Sequence, residues 1–494
     1  MISGDMTAGS ARMRAAPATA TALMLAAAVI IASLAVADFI GWLRLQPEVG
    51  SVTWISDIPN YTAHLHNIHQ RALARAAGSP DSFWPIYDVQ NPGFFLLVAE
   101  LYTRAGATNP YALEITSMVL FNLAAISFFF WVYLLFSDLI VAVVGTIALV
   151  LSKFFLFFPG TTHTFPFDFF FFNLTMLLFA LFLTSDRRAY LYAALAAMFM
   201  TCMNYWFYYT SSWIILVGLW WQYRGRPGIK ELALLSAPPI AAGLFTMGMV
   251  MAIFGGVTKG FLRLADIFVA RTFDARIANA HWYPDRRFMG PMDWLVYPRT
   301  VVERIEWSFS LEFLWFGLAA GCALFFLSLH NRKSYVTAMI LLLGGCSWYY
   351  TMFQHTHIHE FTGQYSFMAI CPLVGLIVAE AVFLVRRAIR RAMDASRRKS
   401  IVTDAAMAAL LVSLALATAW PFATNTYRLV SRTIETARAV QPKYAQAVRE
   451  ICRDHAKITL QDLEKASQDW GIKWLPHLIT ETNRTPECGK PASG

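Results

Sequence analysis

The chain has 494 residues, 57% hydrophobic and 15% aromatic, with only 14% charged, against roughly 25% in ordinary soluble domains. Its polar side chains cannot cover that much apolar surface, which excludes an ordinary cytosolic enzyme, a disordered chain, a collagen and a disulfide scaffold, and leaves an all-α polytopic membrane protein. The formal charge of +9 (40 Lys+Arg against 31 Asp+Glu) does not imply nucleic acid, because the basic residues cluster between apolar segments, as membrane topology demands.

A spanning helix needs about 20 predominantly apolar residues. On that rule eleven segments qualify: 19–41, 111–136, 138–158, 166–184, 189–206, 208–223, 231–255, 308–328, 335–354, 364–385 and 401–420. A turn within Asn204 to Ser212 separates the fifth from the sixth. Arg12 and Arg14, Arg187 and Arg188, Arg224 to Lys230, Arg332 and Lys333, and the run from Arg386 to Lys399 then all fall on one side. The positive-inside rule makes that side cytoplasmic and puts the N-terminus there. Ala35, Val36 and Ala37 resemble a signal-peptidase site, but the apolar stretch exceeds the usual 7–15 residues, so it reads as a retained first span.

The external face then carries loops 42–110 and 256–307, short turns at 159–165 and 355–363, and a tail, 422–494. Residues 1–421 thus form the membrane module and 422–494 a small helical appendage. In that tail 427–456 reads as an amphipathic helix, and Thr459 as the cap of a second one ending near Gln468. Cys202, Cys322, Cys346 and Cys371 lie in expected spans as packing residues. Cys452 and Cys488 lie in the external tail, where a bridge between them is plausible. No internal repeat, GxGxxG or P-loop is visible.

Four external features could carry chemistry. Asp57 stands close behind the first span, ahead of apolar positions 58, 61, 65, 68 and 72, whose spacing predicts a helix lying in the interface. A carboxylate held there, partly desolvated, suits a general base; capping that helix ahead of Pro59 is the competing role. Asp88 occupies a Pro-bounded turn between Trp84 and Phe94, where an Asx-type turn is the alternative. Asp168 sits just inside the outer end of a very apolar span, with His163 as its nearest candidate partner. An acid at that depth marks a functional site by default, unless it caps the helix after Pro166 and faces headgroup water. His355, His357, His359 and Glu360, followed by Gln364 and Tyr365, could hold a metal or contact a phosphate or substrate; the alternating histidines suit a strand better than a helix.

Phe261, Leu262, Ile267, Phe268 and Val269 predict another interfacial helix in the loop 256–307. Arg271 and Arg276 there are candidates for gripping a phosphate, or for plain attraction to anionic lipid.

This order of features resembles the GT-C superfamily of membrane glycosyltransferases, over roughly 40–385, and within it the protein O-mannosyltransferases and the lipid A aminoarabinose transferases. The family's early catalytic Asp matches Asp57. Its acid ahead of a Pro-Pro pair matches Asp88, although a single Pro92 follows and no adjacent Lys is present. Its acid at the outer end of a later span matches Asp168. The resemblance implies inverting transfer of a sugar from a polyprenyl-phosphate donor to a lipid, glycan or protein acceptor on the external face of the plasma membrane. Asp57 would act as base, Asp88 and Asp168 would orient it, the sugar or a metal, and Arg271, Arg276 and His359 would stabilise the leaving phosphate. Some members hold a divalent metal between the loop acid and a later His, a place His281 could fill. Ile58 after Asp57 replaces the Asp-Glu pair of protein O-mannosyltransferases, which argues against a protein acceptor. A transporter or flippase for a lipid-linked glycan is the main rival, but it would carry ionisable residues near the midplane and repeated halves. A scaffold without catalysis is the third class.

Overall fold

The computed structural model describes residues 27–28, 30–35, 37–38, 111–157, 165–253, 256–272, 294–309, 332–358, 360–393 and 431. Every regular element among them is helical. Behind a helical stretch within 27–38 come α1 (Tyr111–Phe136), α2 (Leu139–Val150), α3 (Lys153–Phe157), α4 (Phe165–Ser185), α5 (Arg188–Asn204), α6 (Phe207–Arg224), α7 (Ile229–Ile253), α8 (Val257–Thr272), α9 (Tyr297–Ser308), α10 (Arg332–Gly345), α11 (Ser347–Thr351), α12 (Phe353–Ile358), a 3₁₀ turn Glu360–Ser366, and α13 (Phe367–Met393).

Among the described residues four helical segments are long and apolar enough to cross a membrane, Ile115–Phe136, Phe165–Ser185, Ile229–Gly248 and Thr362–Arg387, and the chain is an integral membrane protein. Two further apolar helices, Leu139–Val150 and Lys333–Gly345, are shorter. The expected span 138–158 is interrupted at Leu151 and Ser152. There the serine hydroxyl donates to the Leu149 carbonyl and accepts from the Phe155 N–H, which starts α3 anew. The expected span 335–354 breaks at Cys346 and Met352 into α10, α11 and the start of α12. The break between α5 and α6 falls at Tyr205, whose extended backbone (φ −151°, ψ 138°) ends α5 within the expected turn. Of the expected span 308–328 only Ser308 and Phe309 are described, and the expected span 401–420 and all of the tail 422–494 except residue 431 lie outside the described residues.

Local chemistry closes the turns at one end of the bundle. Ser137 adopts φ 54° after α1, and Asp138 caps α2 by accepting from the Ile140 and Val141 N–H groups at 2.8 and 3.3 Å. Asp186 adopts φ 61° after α4, and its carboxylate takes Arg224 at 2.5 Å, whose other nitrogen caps the Phe182 carbonyl. Lys333 Nζ lies 4.0 Å from the centre of the Tyr223 ring, and the Tyr223 hydroxyl donates to the Leu135 carbonyl. The C-terminal ends of α1, α4 and α6 and the start of α10 therefore meet there, beside Arg187, Arg188, Arg226 and Lys230.

The opposite end is knitted by rings. Phe165 meets Tyr205, and Phe207 stacks on Tyr365, so the start of α4, the α5–α6 break and the 3₁₀ turn come together. The core between the ends is apolar, centred on Phe121, Phe128, Trp131, Phe155, Phe169, Phe172 and Phe179, each fully buried. One polar tie crosses it: Trp131 Nε1 donates to Asn173 Oδ1 at 2.9 Å. α2 and α13 approach closely enough that a Cβ on Gly145 would stand 3.0 Å from the Cys371 carbonyl oxygen. Cys202 and Cys371 are buried in this packing and Cys346 half-buried; Cys322, Cys452 and Cys488 lie outside the described residues.

Candidate functional site

Asp168 lies in the first turn of α4, behind Pro166, whose missing N–H costs nothing at a helix start. It is 1% exposed, so it does not face headgroup water as a capping carboxylate would. Among the described residues neither of its oxygens has a hydrogen-bond partner. Each buried polar group left unpaired costs about 1–3 kcal/mol, a cost that packing alone would not retain. Phe167, Phe169 and Phe172 surround it on its own helix, all buried. The hydroxyls of Tyr208 and Tyr365 stand within its electrostatic reach.

The wall facing α4 is aromatic. Phe207 and Tyr365 stack with centroids 4.4 Å apart, and Tyr205 and Tyr365 at 5.6 Å. Trp348 lies against Tyr205, Phe207 and Tyr365 at 6.0, 5.8 and 5.6 Å. It meets the His355 ring edge-on at 5.2 Å, its Nε1–H donating to His355 Nδ1 at 3.0 Å. An indole N–H can only donate, so Nδ1 of His355 carries no proton and the hydrogen of the neutral ring is on Nε2. His355 is therefore a fixed, buried donor, held in the helix α12 and not in a strand. The alternation of histidines misleads because α12 is six residues long and packs on several sides, against α8, α9 and the 3₁₀ turn.

Gln364 is 2% exposed, and neither its carboxamide oxygen nor its nitrogen has a partner among the described residues. The hydroxyls of Ser211, Ser212 and Ser347 share that condition on neighbouring elements. A Cβ on Gly344 would stand 3.0 Å from the Ser211 carbonyl, which ties the α10–α11 junction to α6.

α9 braces this wall from outside. The Tyr297 hydroxyl donates to the Tyr349 carbonyl at 2.5 Å, and the Tyr349 hydroxyl reaches the Thr362 and Gly363 carbonyls at 3.4 Å. Arg304 Nε donates to the Thr356 carbonyl at 3.1 Å. Burial pushes the Tyr297 hydroxyl up to about 12, opposed by a hydrogen bond from Thr356. Gly363 is pressed onto the Arg304 carbonyl and the Ser308 hydroxyl, leaving no room for a side chain.

The sequence-derived candidates therefore divide. Asp168, His355, Gln364 and Tyr365 come together at one end of the bundle. Arg271 is the penultimate residue of α8 and Glu360 opens the 3₁₀ turn, but their side chains lie outside what is described. Asp57, Asp88, His163, Arg276, His281 and His359 lie outside the described residues altogether. Among the described residues no three His, Cys, Asp or Glu side chains converge as a metal site would require. α8 forms where an interfacial helix was expected and exposes Phe261, Leu262 and Phe268. Sequence reasoning did not single out Trp348; Tyr205, Phe207 and Tyr208 fall in the stretch 205–213, whose aromatic richness fits a greasy groove as well as plain packing.

No protein-family model and no curated protein matches the sequence. Among solved structures, the archaeal oligosaccharyltransferase AglB from Archaeoglobus fulgidus, in complex with an inhibitory peptide and a dolichol-phosphate, is similar to this chain. The TM-score is 0.44 at 12% identity, over 86% of this chain and 58% of that one. The apo form of the Archaeoglobus fulgidus oligosaccharyltransferase gives 0.43 at 12% identity, over 89% of this chain and 59% of that one. The chain thus spans just under three fifths of the length of these structures.

Proposed function

We propose that this protein is a membrane glycosyltransferase of the GT-C type, moving a sugar from a polyprenyl-phosphate-linked donor to a lipid, glycan or protein acceptor on the external face of the membrane. The observation that carries the reading is Asp168: an acid buried without a partner among the described residues, in the first turn of a helix long and apolar enough to cross a membrane, beside a wall of stacked rings. An acid so placed is retained for what it does. The end with Arg187, Arg188, Arg224, Arg226, Lys230 and Lys333 is the cytoplasmic one by the positive-inside rule, which puts Asp168 toward the outside. There it would orient the donor sugar.

Asp57 takes the proton from the acceptor hydroxyl as that oxygen attacks the anomeric carbon. The bond to the lipid phosphate breaks, the phosphate leaves with the electron pair, and the configuration inverts. Asp88 orients Asp57 or the sugar. Arg271 and Arg276 offset the charge developing on the phosphate, as guanidinium groups do for such oxygens. The neutral donors on His355 Nε2 and Gln364 suit sugar hydroxyls better than a phosphate. Mass spectrometry of cell-envelope glycans with and without the protein is the test. Loss of one sugar decoration supports the reading; an unchanged glycan profile counts against it.

A further inference from the structure

The helical stretch within 27–38 buries Ile30, Leu34 and Ala37, a spacing of i, i+4 and i+7 that gives it one packed side. Apolar packing between helices in lipid has no hydrophobic drive behind it and sets sliding register weakly. A polar contact sets it sharply. Asn122 Nδ2, on α1, donates to Asp38 Oδ2 at 2.7 Å, between residues 84 apart in sequence. Asn122, half-buried, lies at helical spacing along the exposed row of α1 formed by Ile115, Val119, Ile126 and Phe130, each at least 40% exposed. Its neighbour Phe121 packs on Phe169 with centroids 5.1 Å apart, and Phe169 follows Asp168. The pair is therefore level with the first turns of α4, at a depth where a carboxylate is expensive and uncommon. Nothing in the reaction outlined above uses it.

We propose that Asp38 and Asn122 are a positioning pair. Their hydrogen bond fixes the height of the stretch 27–38 against α1, and so fixes where the chain leaves that stretch toward the segment that carries Asp57 and Asp88. The inference rests on the glycosyltransferase reading for the roles of those acids. The register itself does not depend on it.

Purified full-length protein tests both parts. Asp38→Leu and Asn122→Leu should each lower turnover by about tenfold or more, since misplacement of about 1 Å at a reacting centre costs about a hundredfold, with KM for the lipid-linked donor unchanged. Asp38→Asn, which still accepts from Asn122, should keep most turnover, and the exchange variant Asp38→Asn with Asn122→Asp should regain most of what Asn122→Leu loses. The proposal is overturned if the exchange variant folds yet stays inactive, or if losses follow only the amount of folded protein. A second readout is independent of transfer: antiparallel counting from the pair sets position 34 opposite position 126, so Leu34→Cys with Ile126→Cys should form a disulfide. Adding Asp38→Leu should slow that crosslink severalfold. An unchanged rate overturns the register claim even in a protein with full activity, while a slowed rate in a chain without transferase activity sinks the functional reading and leaves the clamp standing.

Discussion

Replacing Asp168 should separate stability from activity. In the folded chain its carboxyl is buried with both oxygens unpaired among the described residues, a cost of about 1–3 kcal/mol. Asp168→Leu removes that cost. The extra volume of leucine among Phe167, Phe169 and Phe172 returns about 1 kcal/mol as overpacking. The net gain is thus about 0–2 kcal/mol. Unfolding entropy of about 2 cal/mol/K per residue over this chain converts that to a rise of about 0–2 °C in Tm. Asp168→Asn keeps the shape but leaves an unpaired amide, so its Tm should match the parent. Both variants should lose sugar transfer. Scanning fluorimetry of detergent-purified protein, paired with a transfer assay on the same samples, makes the measurement. A loss of more than about 2 kcal/mol in Asp168→Leu would mean that the carboxyl has partners that hold the fold together, and the argument that it is kept for function would fail.

Three further outcomes follow from the wall opposite α4. Gly363→Ala drives a methyl into the Arg304 carbonyl; it should cost about 1–3 kcal/mol by overpacking and reduce transfer, and an unchanged melting curve would contradict the fit between α9 and the 3₁₀ turn. Trp348→Phe keeps the ring but deletes the donor to His355 Nδ1; it should lower stability by about 1 kcal/mol and slow transfer more than it weakens donor binding, as steady-state kinetics will report. Burial raises the Tyr297 hydroxyl from 10.0 to about 12. The folded state therefore holds this proton more tightly than the unfolded one, and the contribution is intact below pH 10 and lost as pH climbs toward 12. Tyr297→Phe should flatten the alkaline fall of Tm in that window, whereas parallel curves for the two proteins would show that Tyr297 does not titrate there.

The spans that were legible are those in which length and apolarity decide. α1 and α4 begin and end within a residue of the expected 111–136 and 166–184, because no turn or helix break interrupts their apolar runs. The interrupted spans were not legible, because a serine hydroxyl that redirects the chain at Ser152 reads in sequence as one tolerable polar residue. Asp168 could be singled out, since an acid in such a run is costly whatever surrounds it. Its burial could not, because the rings packed over the start of α4, Tyr205 on Phe165 and Tyr208 on Phe172, come from elements further along the chain. Trp348 was lost among 16 tryptophans; only its bond to His355 distinguishes it. Asp38 was not singled out in the sequence, because its contact is visible only with Asn122 beside it.

The central claim is chemical, so transfer itself is its most direct measure. Full-length protein reconstituted in liposomes with a radiolabelled polyprenyl-phosphate sugar and an envelope acceptor extract should convert label from the lipid to a water-soluble or acceptor-linked product, and Asp57→Asn should abolish conversion while still retaining the labelled lipid. Label that stays on the lipid with the unaltered protein, or conversion at full rate by Asp57→Asn, would contradict the account.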